Sequence, residues 1–224
     1  MEYVGFETVA LAGRIERRED ARETCGVLLS GQANLFGLGE AARADVFAGP
    51  PTALYVPPRT TWWAEGEGEL ALCFAPAEGK LEPRLLAAPD LSTRGSGTEE
   101  RFIANILMES EPAESLLVTE VVTPAGHWSS YPPHKHDTDD PPNETLLEET
   151  YYHRLRGPGW AVQRVYTDDG SLDETLAVGD GDVVLVPRGY HPVAADPRVD
   201  LYYLNVMAGP VRQWRVTVAP GYRQ

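Results

Sequence analysis

With 224 residues, 42% hydrophobic and 24% charged, the chain has the makeup of a globular protein of one compact unit or two small domains. Its formal net charge of −15 excludes the basic footprint that nucleic acid or an anionic membrane surface requires. The N-terminus lacks a basic-then-apolar leader, and no apolar run approaches the roughly 18 residues of a membrane span, so a soluble cytoplasmic protein is expected.

In chain order, short apolar runs fall at 25–29, 53–56, 70–74, 116–122, 160–166, 183–186 and 201–207. Turn formers separate them: Ser30-Gly31, Gly49-Pro50-Pro51, Pro57-Pro58, Gly157-Pro158-Gly159, Asp169-Gly170 and Gly179-Asp180-Gly181. Short runs at this spacing predict an all-β sandwich or barrel. One modest helix is expected at 98–108, after Ser96-Gly97, although Thr98 and Arg101 make no capping box. Cys25 and Cys73 lie inside apolar runs and form no Cys-x-x-Cys pair, so buried free thiols are expected rather than a thiolate metal site.

The chain repeats itself weakly. Leu54-Tyr55-Val56-Pro57-Pro58-Arg59 and Val184-Leu185-Val186-Pro187-Arg188-Gly189 are both an apolar run, a proline, then Pro or Arg. Two related β units are therefore expected, 1–85 and 113–224, joined by a linker at 86–112 that holds Pro89, Arg94-Gly95-Ser96-Gly97 and Pro112. The halves differ chemically: all five histidines, His127, His134, His136, His153 and His191, lie in the second.

Pro132-Pro133-His134-Lys135-His136-Asp137 is the strongest local feature. On a strand, residues i and i+2 share a face, so His134 and His136 can aim both imidazoles at one point. Alone, the pair fits two solvent-facing histidines beside a Pro-rich turn better than a metal site. Glu149 opens the strand-prone Glu149-Thr150-Tyr151-Tyr152-His153, and 181–191 reads as a turn, a buried strand and a Pro-x-Gly bend presenting His191. His134, His136, Glu149 and His191 would make an N₃O set with room for water or substrate. Such a set suits one divalent transition metal: Zn²⁺ as first choice, with Mn²⁺, Fe²⁺, Co²⁺ or Ni²⁺ as alternatives.

This pattern resembles the two cupin motifs, with a longer gap from His136 to Glu149 and only Tyr190 between Gly189 and His191. The segments 123–137, 163–169, 182–193 and 200–210 carry a closer resemblance, to the 5-deoxy-glucuronate isomerase family; among them are Thr123-Pro124-Ala125-Gly126-His127-Trp128 and Leu201-Tyr202-Tyr203-Leu204-Asn205-Val206-Met207. The resemblance implies a bicupin, two jelly-roll-like barrels packed together, with a degenerate first unit and the metal in the second only. It implies a metal-dependent aldose–ketose isomerase that converts 5-deoxy-glucuronate to 5-dehydro-2-deoxy-gluconate in myo-inositol catabolism. The expected partner is a small anionic sugar acid, with no nucleic acid and no membrane. Sheet edges of such folds often pair, so a homo-oligomer is expected.

Such a reaction needs a metal to polarise the C1 and C2 oxygens and a group to move a proton. Tyr151 and His153 share the face of Glu149 and are the candidates, with core packing as the plainer role for each. Glu148 should face away. For the carboxylate, Arg188 and Arg164 offer forked donors, against an ordinary surface ion pair. Lys135 is a further candidate, although alternation turns it from its two histidine neighbours; Tyr190 and Gln163 are candidate pocket residues. His127 reads as a loop residue and Trp62-Trp63 as packing. Two rival functions remain open at this point. Oxygen uptake with bound iron would mark a dioxygenase, and binding without turnover would mark a sugar-acid-binding bicupin.

Overall fold

The computed structural model describes residues 1–222, and among them the regular elements are strands apart from one short 3-10 turn at Gly97–Glu99. The first half supplies β1 (Gly5–Arg18), β2 (Arg22–Leu35), β3 (Gly39–Arg43), β4 (Ala53–Val56), β5 (Thr61–Pro76) and β6 (Arg84–Leu86). They form one antiparallel sheet in the order β1-β5-β2-β4-β6, with β3 paired to β2. A bulge between Leu28 and Ser30 bends the long β2–β5 ribbon.

The second half begins with β7 (Asp90–Arg94), β8 (Arg101–Leu107), β9 (Leu117–Thr123), β10 (Trp128–Ser129) and β11 (His134–Lys135). It continues with β12 (Glu148–Leu155), β13 (Ala161–Tyr166), β14 (Asp173–Val178), β15 (Val183–Val186), β16 (Val193–Ala195), β17 (Leu201–Ala208) and β18 (Thr217–Val218). One sheet runs β15-β12-β17-β9-β8-β7, a second runs β10-β16-β13-β14, and β11 pairs with β18.

The all-β expectation is met, but the helix expected at 98–108 is not there. Only the turn precedes β8, which pairs with β7 on one side and β9 on the other. The reason is visible in Phe102-Ile103: Ile103 is buried and Phe102 exposed, the alternation of a strand. The segment 86–112 is thus not a bare connection, because β7 and β8 widen the second half's sheet.

Among the described residues, the three largest buried clusters hold the layers. Leu28, Trp62 and Leu72 fill the first half, and Val121, Val165 and Val193 fill the second. Between the halves, Val27, Tyr55 and Cys73 meet Tyr202, Leu204 and Val206. Strand β17 is buried on both faces, which explains why 201–207 reads as an unbroken apolar run. Its even-numbered residues Tyr202, Leu204 and Val206 pack on the first half; Tyr203 and Asn205 face a cavity on the other side. Cys25 and Cys73 are register partners, free and buried, and burial pushes the Cys25 thiol up to about 12.

Buried charges pin the halves together. The Glu23 carboxylate accepts the backbone N–H of Glu114, Ser115 and Leu116 at 2.9, 2.7 and 2.6 Å. Arg43 on β3 forks onto Glu120 on β9 at 3.0 and 2.7 Å. Among the described residues, no helix is long and apolar enough to cross a membrane.

Candidate active site

The site lies on the inner face of the second half's large sheet. Glu149 and Tyr151 on β12, Asn205 on β17 and Val121 on β9 alternate inward at i, i+2 spacing, as strand geometry requires. Strand β12 is placed by double pairing: Glu149 is opposite Val186 of β15 and Met207 of β17.

Three local devices bring the histidines to Glu149. The residues flanking the loop 137–146 clasp each other: Leu147 donates its N–H to His136 O at 2.9 Å, and His136 Nδ1 bonds Leu147 O at 3.0 Å. Asp137 accepts the Gly189 N–H at 2.9 Å, tying the His-x-His strand to the turn before His191. Gly189 itself has φ +92, and a Cβ there would meet Tyr166 O at 2.4 Å, so only glycine fits this turn.

The imidazoles are all pinned the same way. Nδ1 of His134 faces Pro132 O at 3.1 Å, Nδ1 of His136 faces Leu147 O, and Nδ1 of His191 faces Gly189 O at 2.8 Å. A carbonyl only accepts, so each Nδ1 carries a proton, which leaves Nε2 as the atom of each ring that could ligate a metal. Nε2 of His136 and of His191 lie 3.0 and 3.1 Å from Glu149 Oε2. His191 Nε2 is buried without a hydrogen bond. Candidate ligand atoms of His136, Glu149 and His191 all lie within 4.8 Å of one another. The His134 ring stands beside them, its centroid 5.0 Å from that of His191.

Electrostatics agree with this arrangement. Burial, then the neighbouring His191 and His136, push His134 down to about 3, so it is neutral. Burial would raise Glu149, but His191 and His136 hold its carboxyl well below the usual range. Burial would lower His136, but Glu149 outweighs it and raises that imidazole. Asn205 Nδ2 donates to Glu149 Oε1, fixing the carboxylate's orientation. A set of buried imidazoles around an ionised carboxylate, with an orphaned buried nitrogen on His191, fits a divalent transition metal.

Tyr151 lines the cavity beside Glu149, and its hydroxyl lies 2.8 Å from Ser130 Oγ. Burial and the Glu149 charge raise its pKa well above the ordinary value, so it keeps its proton. His153 does not line this cavity. It is buried beneath Tyr151, the two rings stacked at 5.9 Å and 18°, and Nε2 faces Gln163 Oε1 at 2.9 Å.

The five expected substrate contacts are placed elsewhere. Alternation turns Lys135 away, onto Asp137 at 2.6 Å and Glu144 at 3.5 Å. Arg164 is exposed, paired with Asp173 at 2.8 Å over the Tyr166 ring. Arg188 is exposed and donates to Ser171 at 3.3 Å. The Tyr190 hydroxyl donates to Asp168 at 3.0 Å, and Gln163 is buried against His153. Glu148 faces away, accepting the N–H groups of Glu2 and Tyr3 at 2.7 Å each. His127 bonds Glu100 O at 2.9 Å outside the cluster.

The cavity instead presents residues that sequence reasoning did not single out: Arg94, Arg101, Ser130, Asn205 and Trp214. Asn205 carried a readable signal, a lone amide inside an apolar run. Arg94 and Arg101 were hidden by the reading of their segment as linker and helix. A larger hollow of about 620 Å³ opens near Phe47, Phe102 and Val122, but its buried polar groups, Arg43 and Glu120, satisfy each other.

Two packed β units with His and Glu donors converging in the second define a bicupin with a metal-type centre. Bacillus subtilis oxalate decarboxylase, in a structure concerned with its Mn(II) centres, shares this fold: TM-score 0.65 at 12% identity, over 97% of this chain and 71% of that one. The chain belongs to the KduI/IolB family, whose model matches residues 1–224. It is similar to the 5-deoxy-glucuronate isomerase of Geobacillus kaustophilus, 53% identical over 96% of this chain and 82% of that protein. The Bacillus subtilis protein of the same name is 42% identical over 99% of this chain and 87% of its own. The crystal structure of an IolB-like protein from Salmonella typhimurium superposes with TM-score 0.93 at 46% identity, covering 99% of this chain and 89% of that one. The chain is accordingly an enzyme, an intramolecular oxidoreductase of the aldose–ketose isomerase kind.

Proposed function

We propose that the enzyme converts 5-deoxy-glucuronate to 5-dehydro-2-deoxy-gluconate, a step of myo-inositol catabolism in the cytoplasm, with one divalent transition metal held by His134, His136, Glu149 and His191. Zinc is the first choice for an N₃O set of this kind. The observation that carries the reading is the cluster of His136, Glu149 and His191, whose candidate ligand atoms lie within 4.8 Å of one another, with His134 pinned through Nδ1 beside them. The similarity of nearly the whole chain to proteins named 5-deoxy-glucuronate isomerase supports this choice of substrate.

The reaction moves hydrogen between C1 and C2 with no net oxidation. The bound metal would supply Lewis-acid polarisation of the neighbouring C1 and C2 oxygens and a template for them. The residues of the chain do the rest. Asn205 keeps Glu149 turned inward, and the buried imidazoles keep it ionised. Tyr151, protonated at neutral pH and held by Ser130, is placed to hold a proton at a substrate oxygen as charge develops there. His153 acts through Tyr151 as a positioning residue, stacked beneath its ring.

The test is turnover followed by nuclear magnetic resonance. Protein stripped by a chelator should not convert 5-deoxy-glucuronate, and Zn²⁺, Mn²⁺ or Fe²⁺ should restore formation of the 2-keto acid. Tyr151→Phe should lower kcat by about 10²-fold with metal content unchanged. Full turnover by metal-free protein would overturn the proposal.

A further inference from the structure

The cavity holds a metal-type donor set at one end and two guanidinium groups at the other. Arg94 on β7 and Arg101 on β8 are register partners, directly opposite each other. Both line the cavity that His134, Glu149 and Tyr151 line. Like charges opposite each other on neighbouring strands repel, so the pairing is unfavourable unless an anion lies between them. No ion pair to a carboxylate relieves either group among the described residues. Arg101, half-buried, donates only to the backbone oxygen of Glu99 at 2.9 Å. Arg94, at the mouth, lies over the Trp214 ring at 5.4 Å. The composition would readily supply a partner, with 34 acidic against 19 basic residues.

The two ends belong to one binding site. The Trp214 ring packs perpendicular to His134 with centroids 5.9 Å apart and carries Arg94 at 5.4 Å, so one indole touches both ends. Arg101 is also close enough to Tyr203 and Tyr151 for its charge to be felt there. Burial foremost, and the Arg94 charge, disfavour the charged form of Arg101 and outweigh the opposing pull of Tyr203 and Glu99, a penalty that a bound anion would reduce. A guanidinium pair accepts a planar carboxylate through parallel N–H···O bonds.

We infer that Arg101, backed by Arg94 at the mouth, is the subsite for the substrate carboxylate, selecting acyclic sugar acids whose carboxylate lies at the far end from the reacting carbonyl. The inference rests on the isomerase reading for the identity of the reacting end, but not for the anion subsite itself. Extending the acid across the cavity sets its C1–C2 end beside Glu149 and Tyr151 and its C6 carboxylate beside Arg101.

The experiment compares wild type, Arg101→Met and Arg101→Lys as zinc-loaded full chains. Steady-state turnover is measured with 5-deoxy-glucuronate and with 5-deoxy-glucose, in which an alcohol replaces the carboxylate. Calorimetry measures binding of gluconate, a linear sugar acid. Arg101→Met should raise KM for the acid by about 10- to 100-fold, with kcat changed only a few-fold, and should leave the alcohol unaffected. Gluconate binding should weaken by a similar factor, and Arg101→Lys should recover part of each loss. Unchanged zinc content and urea midpoint show that the variants fold. An equal loss on acid and alcohol, or gluconate binding that does not depend on Arg101, overturns the assignment. If wild type turns over no 5-deoxy-glucuronate, the isomerase reading fails, and Arg101-dependent gluconate binding still decides the anion subsite.

Discussion

Arg43 and Glu120 are each only 4% exposed, yet they meet as an ion pair between the two halves of the molecule. Burial holds the Glu120 carboxyl above its usual range even with Arg43 beside it, while Glu120 holds the Arg43 guanidinium up against the opposing effect of burial. The pair therefore recovers little more than its desolvation, whereas either charge alone is costly. Glu120→Leu leaves the Arg43 guanidinium with only the carbonyls of Val46 and Gly49, at 2.8 and 2.9 Å. The expected loss is about 3–5 kcal/mol, and Arg43→Met should cost a similar amount. The double variant should lose less than either single one, about 1–3 kcal/mol, from the Tyr202 hydroxyl that now donates to Glu120 at 3.0 Å. For a chain of this size, the single changes should lower Tm by on the order of 10 °C. Urea unfolding of metal-free protein, followed by tryptophan fluorescence and circular dichroism, closes the double-mutant cycle. Costs that simply add would refute the reasoning.

Asn205→Ala removes the donor from Glu149 Oε1 and should weaken metal binding by about 10- to 100-fold, measured by competition with a chelator; an unchanged affinity counts against a positioning role for Asn205. Gly189→Ala forces a Cβ against Tyr166 O and should cost roughly 1–3 kcal/mol, with reduced metal retention because the turn carries His191; a native melting temperature and full metal content would contradict this. Burial holds His153 at about 4 against an ordinary 6.5, so between those values the unfolded chain binds the extra proton. Stability from this group is intact above pH 6.5 and is lost as pH falls towards 4, by about 3 kcal/mol. The destabilisation caused by His153→Gln, measured by urea unfolding, should therefore shrink over that window, and a pH-independent difference would disprove it.

The second unit was legible because its signals are local. Strand alternation puts His134 and His136 on one face, and the Pro-x-Gly bend before His191 needs a residue with positive φ at Gly189. Arg94 and Arg101 were not legible for a physical reason. Two short strands, β7 and β8, joined through Gly95 and Gly97 look like a loop until the pairing of β8 with β9 is known, and strand pairing carries little local mark. The cations at Arg164 and Arg188 looked suited to a substrate because both lie close in sequence to site motifs. Strand alternation and the nearby Asp173 and Ser171 turn them to the surface. Tyr151 and His153 shared the expected face, but spacing alone could not show that one lines the cavity and the other is stacked beneath it.

The central claim is that His134, His136, Glu149 and His191 hold one divalent metal. Elemental analysis of purified wild type beside His191→Ala, both checked for native circular dichroism, tests it most directly. The account predicts about one transition-metal ion per chain in wild type and little or none in the variant. A wild type that carries no transition metal, and takes up none on incubation with Zn²⁺, Mn²⁺ or Fe²⁺, would contradict it.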